Sequence, residues 1–344
     1  MQQDFNQLIT WSKQFDLLPW RQNRSLYRTL VSEIMLQQTT VATVVNKFEG
    51  FLTLYPTISH LAQATEQEIL IAWKGLGYYR RAKNLLAAAK HIQTYHAGII
   101  PIDYLSLVTI PGIGNYTANA ILSIGDDQKV LAVDTNLERV IARYYGLDVE
   151  KGVKLKKTIL DLFHSNKIFK ADLSFRLLNE ALMDLGREYC TKSKTKCFEC
   201  PLQANCKSVS DPLARPIVTK KQRITYDLAL LRVLIIDKDQ LMAYQKSDSE
   251  WLAGQWECPT FILEDCDNLK QYPCLKHDYK NLPSFKTTIT KYKITNYILD
   301  LTIEEFSQLF IWDRKLHPIA LSTNSNFSTA TQKALHCLSS LQAC

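Results

Sequence analysis

No stretch of this 344-residue sequence is apolar for anything near the ~20 residues a membrane-spanning helix needs. Nor does Met1 to Phe15 hold a basic segment followed by an apolar one, so no secretion signal is read there. The chain is therefore read as cytoplasmic and nucleoid-associated, of bacterial type, with no membrane partner. Internal repeats and low-complexity tracts are missing, which excludes solenoid and array architectures. Strong charge of one sign is missing too. The net charge of +7 is compatible with a polyanionic partner without requiring one. Residues 1 to about 206 show no alternation of period two, which argues against strands there.

Helical spacing fills that region instead. Ser32 to Phe51 carries Ile34, Met35, Val41, Val44, Val45 and Phe48 at helical intervals, and Glu66 to Trp73 and Arg80 to Tyr95 repeat the pattern. Turn signals at Tyr55-Pro56, Gly75-Leu76-Gly77, Gly98 to Pro101 and Pro111 to Gly114 separate them. After Cys206 the texture changes. Ser208 to Arg223 reads as a linker. Asp227 to Ile236 and Gln240 to Gln245 flank Asp237-Lys238-Asp239 as a hairpin, Lys286 to Ile303 alternates, and Gln332 to Leu341 reads as a closing helix. The expectation is a mainly α domain at 1–206, a linker at 207–225 and an α+β domain at 226–344.

Nine cysteines are present, and Cys190, Cys197, Cys200 and Cys206 fall within 17 residues. Without a secretion signal, clustered cysteines read as metal ligands rather than disulfides, and the scattered Cys258, Cys266, Cys274, Cys337 and Cys344 as plain thiols. The spacing x6, x2, x5 leaves zinc and an iron–sulfur cluster level. Between the first two cysteines, Lys192, Lys194 and Lys196 alternate with hydroxyl residues, either as a solvated turn or as a phosphate-binding loop.

Ile110-Pro111-Gly112-Ile113-Gly114 lies between two helical segments. Its glycines permit close backbone approach, and the free N–H groups of the following helix suit phosphate. This is a helix-hairpin-helix pattern, a grip on the DNA backbone that ignores sequence. About 20 residues on, Asp134 ends an apolar run and is placed to cap a helix. Glu33 reads on position as a solvated acid of a first helical turn. Cleavage of a glycosidic bond gives both acids work: one protonates the leaving base, the other stabilises an oxocarbenium-like sugar.

Together these motifs resemble the adenine DNA glycosylases of the MutY type, within the helix-hairpin-helix and endonuclease III superfamily. The likeness runs from Leu18 to Cys206 through Leu18 to Arg21, Ser32 to Thr39, Gly75 to Tyr79, Pro111 to Ala120, Asp134 to Val140, Asn179 to Gly186 and the cysteines. The resemblance implies a helix-hairpin-helix glycosylase domain with a [4Fe–4S] cluster on the four cysteines. It implies removal of adenine opposite 8-oxoguanine or guanine in double-stranded DNA, by a monomer. Glu33 is then the general acid, Asp134 the stabiliser or covalent trap, and Tyr116 and Asn136 their supports. Gln38 and Tyr78 enter the base stack, Thr39, Gly112 and Gly114 meet the DNA, and Leu36, Arg21 and Glu180 shape the base pocket.

One discriminating residue and three departures bear on this. Tyr116 stands where bifunctional relatives carry a Schiff-base lysine, so little or no strand cleavage is expected. Thr135 replaces the usual glycine after the catalytic aspartate. The C-terminal part resembles a MutT-like (Nudix-like) lesion-recognition module through Gly254 to Pro259, yet lacks the Nudix acid cluster, so no pyrophosphatase activity is expected. Its Phe-Ser-His loop appears as Ile289-Thr290-Lys291, leaving Thr290 to read 8-oxoguanine. The other readings are a bifunctional oxidised-pyrimidine glycosylase of the endonuclease III kind and a non-catalytic iron–sulfur DNA-binding protein.

Overall fold

The computed structural model describes residues 2–169, 173–210, 224–263, 271–276, 279, 281–321 and 325–342. Most of the expected linker, with Cys266 and Cys344, lies outside them. Two compact units emerge: Met1–Ala64, Gly75–Gly77 and Arg81–Lys220 form one, and Thr65–Lys74, Tyr78–Arg80 and Lys221–Cys344 the other. Among the described residues no helix is long and apolar enough to cross a membrane.

The first unit is helical. The expected continuous helix from Ser32 to Phe51 is two helices, Leu26–Leu36 and Val41–Leu54. Gln38 breaks the run with φ +58°, and Thr40 restarts it by accepting the N–H of Thr43. Arg81, buried, seals the first of these helices by donating to the carbonyls of Ile34 (2.8 Å) and Met35 (2.7 Å) and to the Thr39 hydroxyl (2.8 Å). The hairpin joins helix Tyr104–Thr109 to helix Asn115–Ala120, which runs on as a π-helical turn, Ile121–Gly125. Helices Thr135–Tyr145 and Phe175–Glu188 are strongly amphipathic and share a core with Phe5, Leu8, Leu155 and Ile159.

Among the described residues the second unit carries eight strands: β1 (Tyr226–Leu234), β2 (Ile236–Asp237), β3 (Gln240–Gln245), β4 (Trp256–Glu257), β5 (Thr260–Ile262), β6 (Ser284–Ile289), β7 (Tyr292–Asp300) and β8 (His317–Ala320). One sheet has the order β5-β1-β7-β6, with β1 and β7 parallel; in the other, β3 pairs with β2, β4 and β8. The expected hairpin is shorter than its apolar run suggests. Only β2 turns back onto β3, through Lys238 and Asp239 at φ +44° and +61°, while β1 belongs to the other sheet. The alternating segment is a tight hairpin of β6 and β7 with Thr290 at its tip, φ +51°. The closing helix spans Thr329–Gln342.

A buried ionic group sits in this unit. Glu257 accepts from Arg232 Nη1 (2.8 Å), Lys246 Nζ (2.5 Å), Tyr244 Oη and Tyr272 Oη (both 3.1 Å). Burial alone would raise the Glu257 carboxyl, but Lys246 and Arg232 hold it down at about 2. Asn296 and Thr260 take further guanidinium donors, so the charges are hydrogen-bonded as well as paired.

Candidate active site

Glu33 lies well inside helix Leu26–Leu36, whose cap is Ser25, and is buried. Its Oε2 accepts from Tyr116 Oη at 2.7 Å. Burial pushes the Glu33 carboxyl up to about 7; the Tyr116 hydrogen bond and Arg21 oppose this, while Asp134 and Glu180 add to it. Asp134 is the N-cap of helix Thr135–Tyr145. Its Oδ1 accepts the N–H groups of Asn136 (2.9 Å) and Leu137 (2.7 Å), and its Oδ2 accepts from Asn136 Nδ2 (2.9 Å). Burial raises this carboxyl too, against those donors, which favour the anion.

Both acids line one cleft of about 1260 Å³, together with Leu36, Gln38, Thr39, Gly112, Gly114, Tyr116, Thr135 and Asn136. The hairpin enters this wall through Gly112, at φ +81°, where a Cβ would meet Asn84 Cβ at 2.7 Å. Thr135 is exposed at the first turn of its helix and faces the same space.

Residues 31–164 match the family model described as HhH-GPD superfamily base excision DNA repair protein. Residues 31–164 thus carry an HhH-GPD domain. It is similar to proteins named adenine DNA glycosylase. One, from Buchnera aphidicola subsp. Baizongia pistaciae, is 36% identical over 227 residues, covering 64% of this chain and 62% of that one. Another, from Buchnera aphidicola subsp. Schizaphis graminum, is 34% identical, covering 70% and 66%. The Homo sapiens protein is 34% identical, covering 58% and 38%. The chain thus spans between about a third and two thirds of the length of these curated relatives. Among solved structures, a thermostable thymine-DNA glycosylase aligns with a TM-score of 0.54 at 26% identity, over 60% of this chain and 94% of that one.

Within this HhH-GPD fold the other candidate residues divide. Arg21 and Glu180 are not on the cleft wall. Arg21 is buried against Asp184 (Nη1 to Oδ2, 2.9 Å) and Glu180 (3.5 Å), and Arg24 also donates to Glu180. They act on Glu33 through the field rather than by lining the cleft. Gln38 is exposed, as is Tyr78, each with a left-handed backbone; Tyr78 and the exposed Thr290 belong to the second unit.

Sequence reasoning missed the group that fixes Asn136. Arg139 donates to Asn136 Oδ1 (2.8 Å), Gly186 O (2.6 Å) and Cys190 O (2.6 Å), joining the Asp134 cap to the cysteine loop. Gly186 lets the two helices approach: a Cβ there would meet Asn136 Cβ at 2.6 Å and its Cα at 3.0 Å. Gly186→Ala is therefore expected to lower stability by about 1–3 kcal/mol and to pull Asn136 from Asp134. Thermal melting and base-release rate together check this; an unchanged rate with a lowered melting temperature would separate Asn136 from the chemistry.

The four cysteine side chains are partly buried. Cys190 Sγ accepts from Arg143 Nη1 (3.4 Å), and a bridge of Cys190 with Thr195 closes the lysine loop. Burial pushes the Cys200 thiol up to about 12, with Cys190, Cys206 and Cys197 adding to the rise. Among the described residues no three His, Cys, Asp or Glu side chains gather closely enough to hold a single metal ion.

Proposed function

We propose that this chain hydrolyses the N-glycosidic bond of adenine mispaired with 8-oxoguanine or guanine in duplex DNA. The observation that carries the proposal is the pair of unlike acids on one cleft. Adenine leaves well only after a ring nitrogen is protonated, and Glu33, with its carboxyl near neutrality, holds a proton at working pH. Tyr116 steadies that carboxyl. Asp134, held toward the anion by two backbone N–H groups and Asn136, faces the sugar and stabilises the positive charge developing at C1′ or traps it covalently. Glu33, having given up its proton, then takes one from the attacking water. Gly112 and Gly114 hold a DNA phosphate, Leu36 and Thr39 border the base, and Gln38 and Tyr78 fill the gap left by the flipped nucleotide.

Cys190, Cys197, Cys200 and Cys206 would hold a [4Fe–4S] cluster. Four soft thiolates within 17 residues are the donor set such a cluster takes, one thiolate to each iron. Bound there, it supplies structure, and its loop offers Lys192, Lys194 and Lys196 to phosphates. We read the second unit as the MutT-like module, with Thr290 at the β6–β7 tip toward 8-oxoguanine, and the domain boundaries as 1–206 and 226–344. With tyrosine at position 116, the reaction stops at the abasic site.

The test is single-turnover cleavage of duplexes holding adenine opposite 8-oxoguanine, guanine or cytosine, developed with alkali. Product is expected in the order 8-oxoguanine, guanine, cytosine, with little nicking before alkali. No alkali-labile product from protein with bound iron and sulfide would sink the proposal.

A further inference from the structure

The first helix, Gln2–Ser12, contributes no residue to the cleft wall, yet it meets both ends of the cysteine segment. At its start Asp4 is buried. An acid in a first helical turn serves the helix dipole equally well when exposed, so the dipole does not account for the burial. A carboxylate taken out of water costs free energy unless its oxygens are hydrogen-bonded, and here they are. Oδ2 accepts from the Oη of buried Tyr144 (2.5 Å), and both oxygens accept from Asn205 Nδ2 (3.0 Å each). Asn205 is exposed and immediately precedes Cys206. Just past that cysteine, Ser208 Oγ donates to Arg143 O (2.9 Å). Toward the other end of the helix the Trp11 ring lies 5.1 Å from that of Tyr189, which immediately precedes Cys190. Ser12 fastens that end, its hydroxyl donating to Asp184 Oδ2 (2.5 Å).

We propose that the first helix is a latch on the cluster, with Asp4 a positioning residue that keeps the Cys206 arm closed through Asn205. A cluster held by four thiolates of one segment is lost when an arm opens locally and a competing ligand reaches the iron before the arm recloses. Cys206 is the last arm of the four, and the charge-assisted bond from Asn205 to Asp4 ties it to a helix 201 positions away in sequence. The latch presupposes the cluster reading of the four cysteines, which iron and sulfide analysis of the purified parent tests by itself. The latch is tested by the rate at which the full holoprotein gives up iron to a chelator, followed by the visible absorbance of the cluster with far-UV circular dichroism recorded alongside. Asn205→Ala and Asp4→Ala are each expected to speed release by about tenfold, the size of a lost hydrogen bond to a charged group, while the helical signal holds. Asn205 is exposed, so its variant reports even where Asp4→Ala folds poorly. Exchanging the pair, Asp4→Asn with Asn205→Asp, lets the amide donate in the opposite sense and should bring release back to within about threefold of the parent. Ser12→Ala loosens the other end of the helix and should leave release slow. Parental release from Asn205→Ala, an exchanged pair no slower than Asn205→Ala, or equal acceleration by Ser12→Ala overturns the latch while the cluster reading stands. A parent without iron and sulfide overturns both.

Discussion

Glu33→Gln is expected to cut adenine release by about 10³-fold or more while leaving the protein more stable at neutral and alkaline pH. General acid catalysis contributes about 10²- to 10⁴-fold, and the amide has no proton of suitable acidity to give. The fold survives, because Tyr116 Oη donates equally well to an amide oxygen at the Oε2 position. The stability change follows from burial. Glu33 has its carboxyl raised from 4.5 to about 7 in the folded chain. Folding therefore favours the protonated side chain, and its contribution is fully present below 4.5 and lost as pH rises through about 7. A raise of that size corresponds to about 3 kcal/mol. Glutamine carries no such cost, so the variant should match the parent in acid and exceed it by up to that amount near pH 9. Urea melts at three pH values and single-turnover rates check both halves. The parent's rate should fall tenfold per pH unit above about 7; a flat profile to pH 9 would remove Glu33 from the acid role.

Asp134→Asn comes next. Asparagine is as good an N-cap as aspartate, so the Asn136 and Leu137 N–H groups keep an acceptor and stability should change by less than about 1 kcal/mol. The charge is lost, and with it the stabilisation of the developing cation, a loss on the order of 10³-fold in rate. A second effect separates this from simple damage. Asp134 is one of the groups that raise the Glu33 carboxyl, so residual activity should decline at a lower pH than in the parent. A variant with full rate, or with a reduced rate and an unshifted pH profile, contradicts the pairing of the two acids.

The contrast between these residues also marks how far the sequence could be read. Asp134 announced itself: an apolar run, a capping residue and an amphipathic helix follow one another within a few positions, and the cap is local. Glu33 was misplaced as a solvated first-turn acid because the helix seemed to begin at Ser32. The true start is Ser25, whose hydroxyl accepts the Arg28 N–H at 3.1 Å, so Glu33 falls on a buried face. Arg139, Arg81 and Gly186 were missed for a different reason. The partners that make them matter across the fold lie 42 to 51 positions away in sequence, and no periodicity encodes a contact at that range. The second unit repeats the lesson. Its strands were visible as alternating or apolar runs, but the parallel pairing of β1 with β7, Tyr226 opposite Tyr292, joins segments that no turn connects.

The buried Arg232–Glu257–Lys246 group has a consequence for how this chain can change over generations. One carboxylate neutralises two cations that water does not reach, so the three positions are not independent characters. Losing Glu257 alone strands both cations, and breaking a buried pair costs about 3–5 kcal/mol, a large share of a domain's whole stability. Losing either cation alone is milder, because the other remains to hold the carboxylate. The order of substitution is therefore constrained: a lineage can shed Lys246 or Arg232 before Glu257, never after it. Once one cation has gone, the glutamate between Trp256 and Cys258 and the remaining cation form a pair that can vary only together.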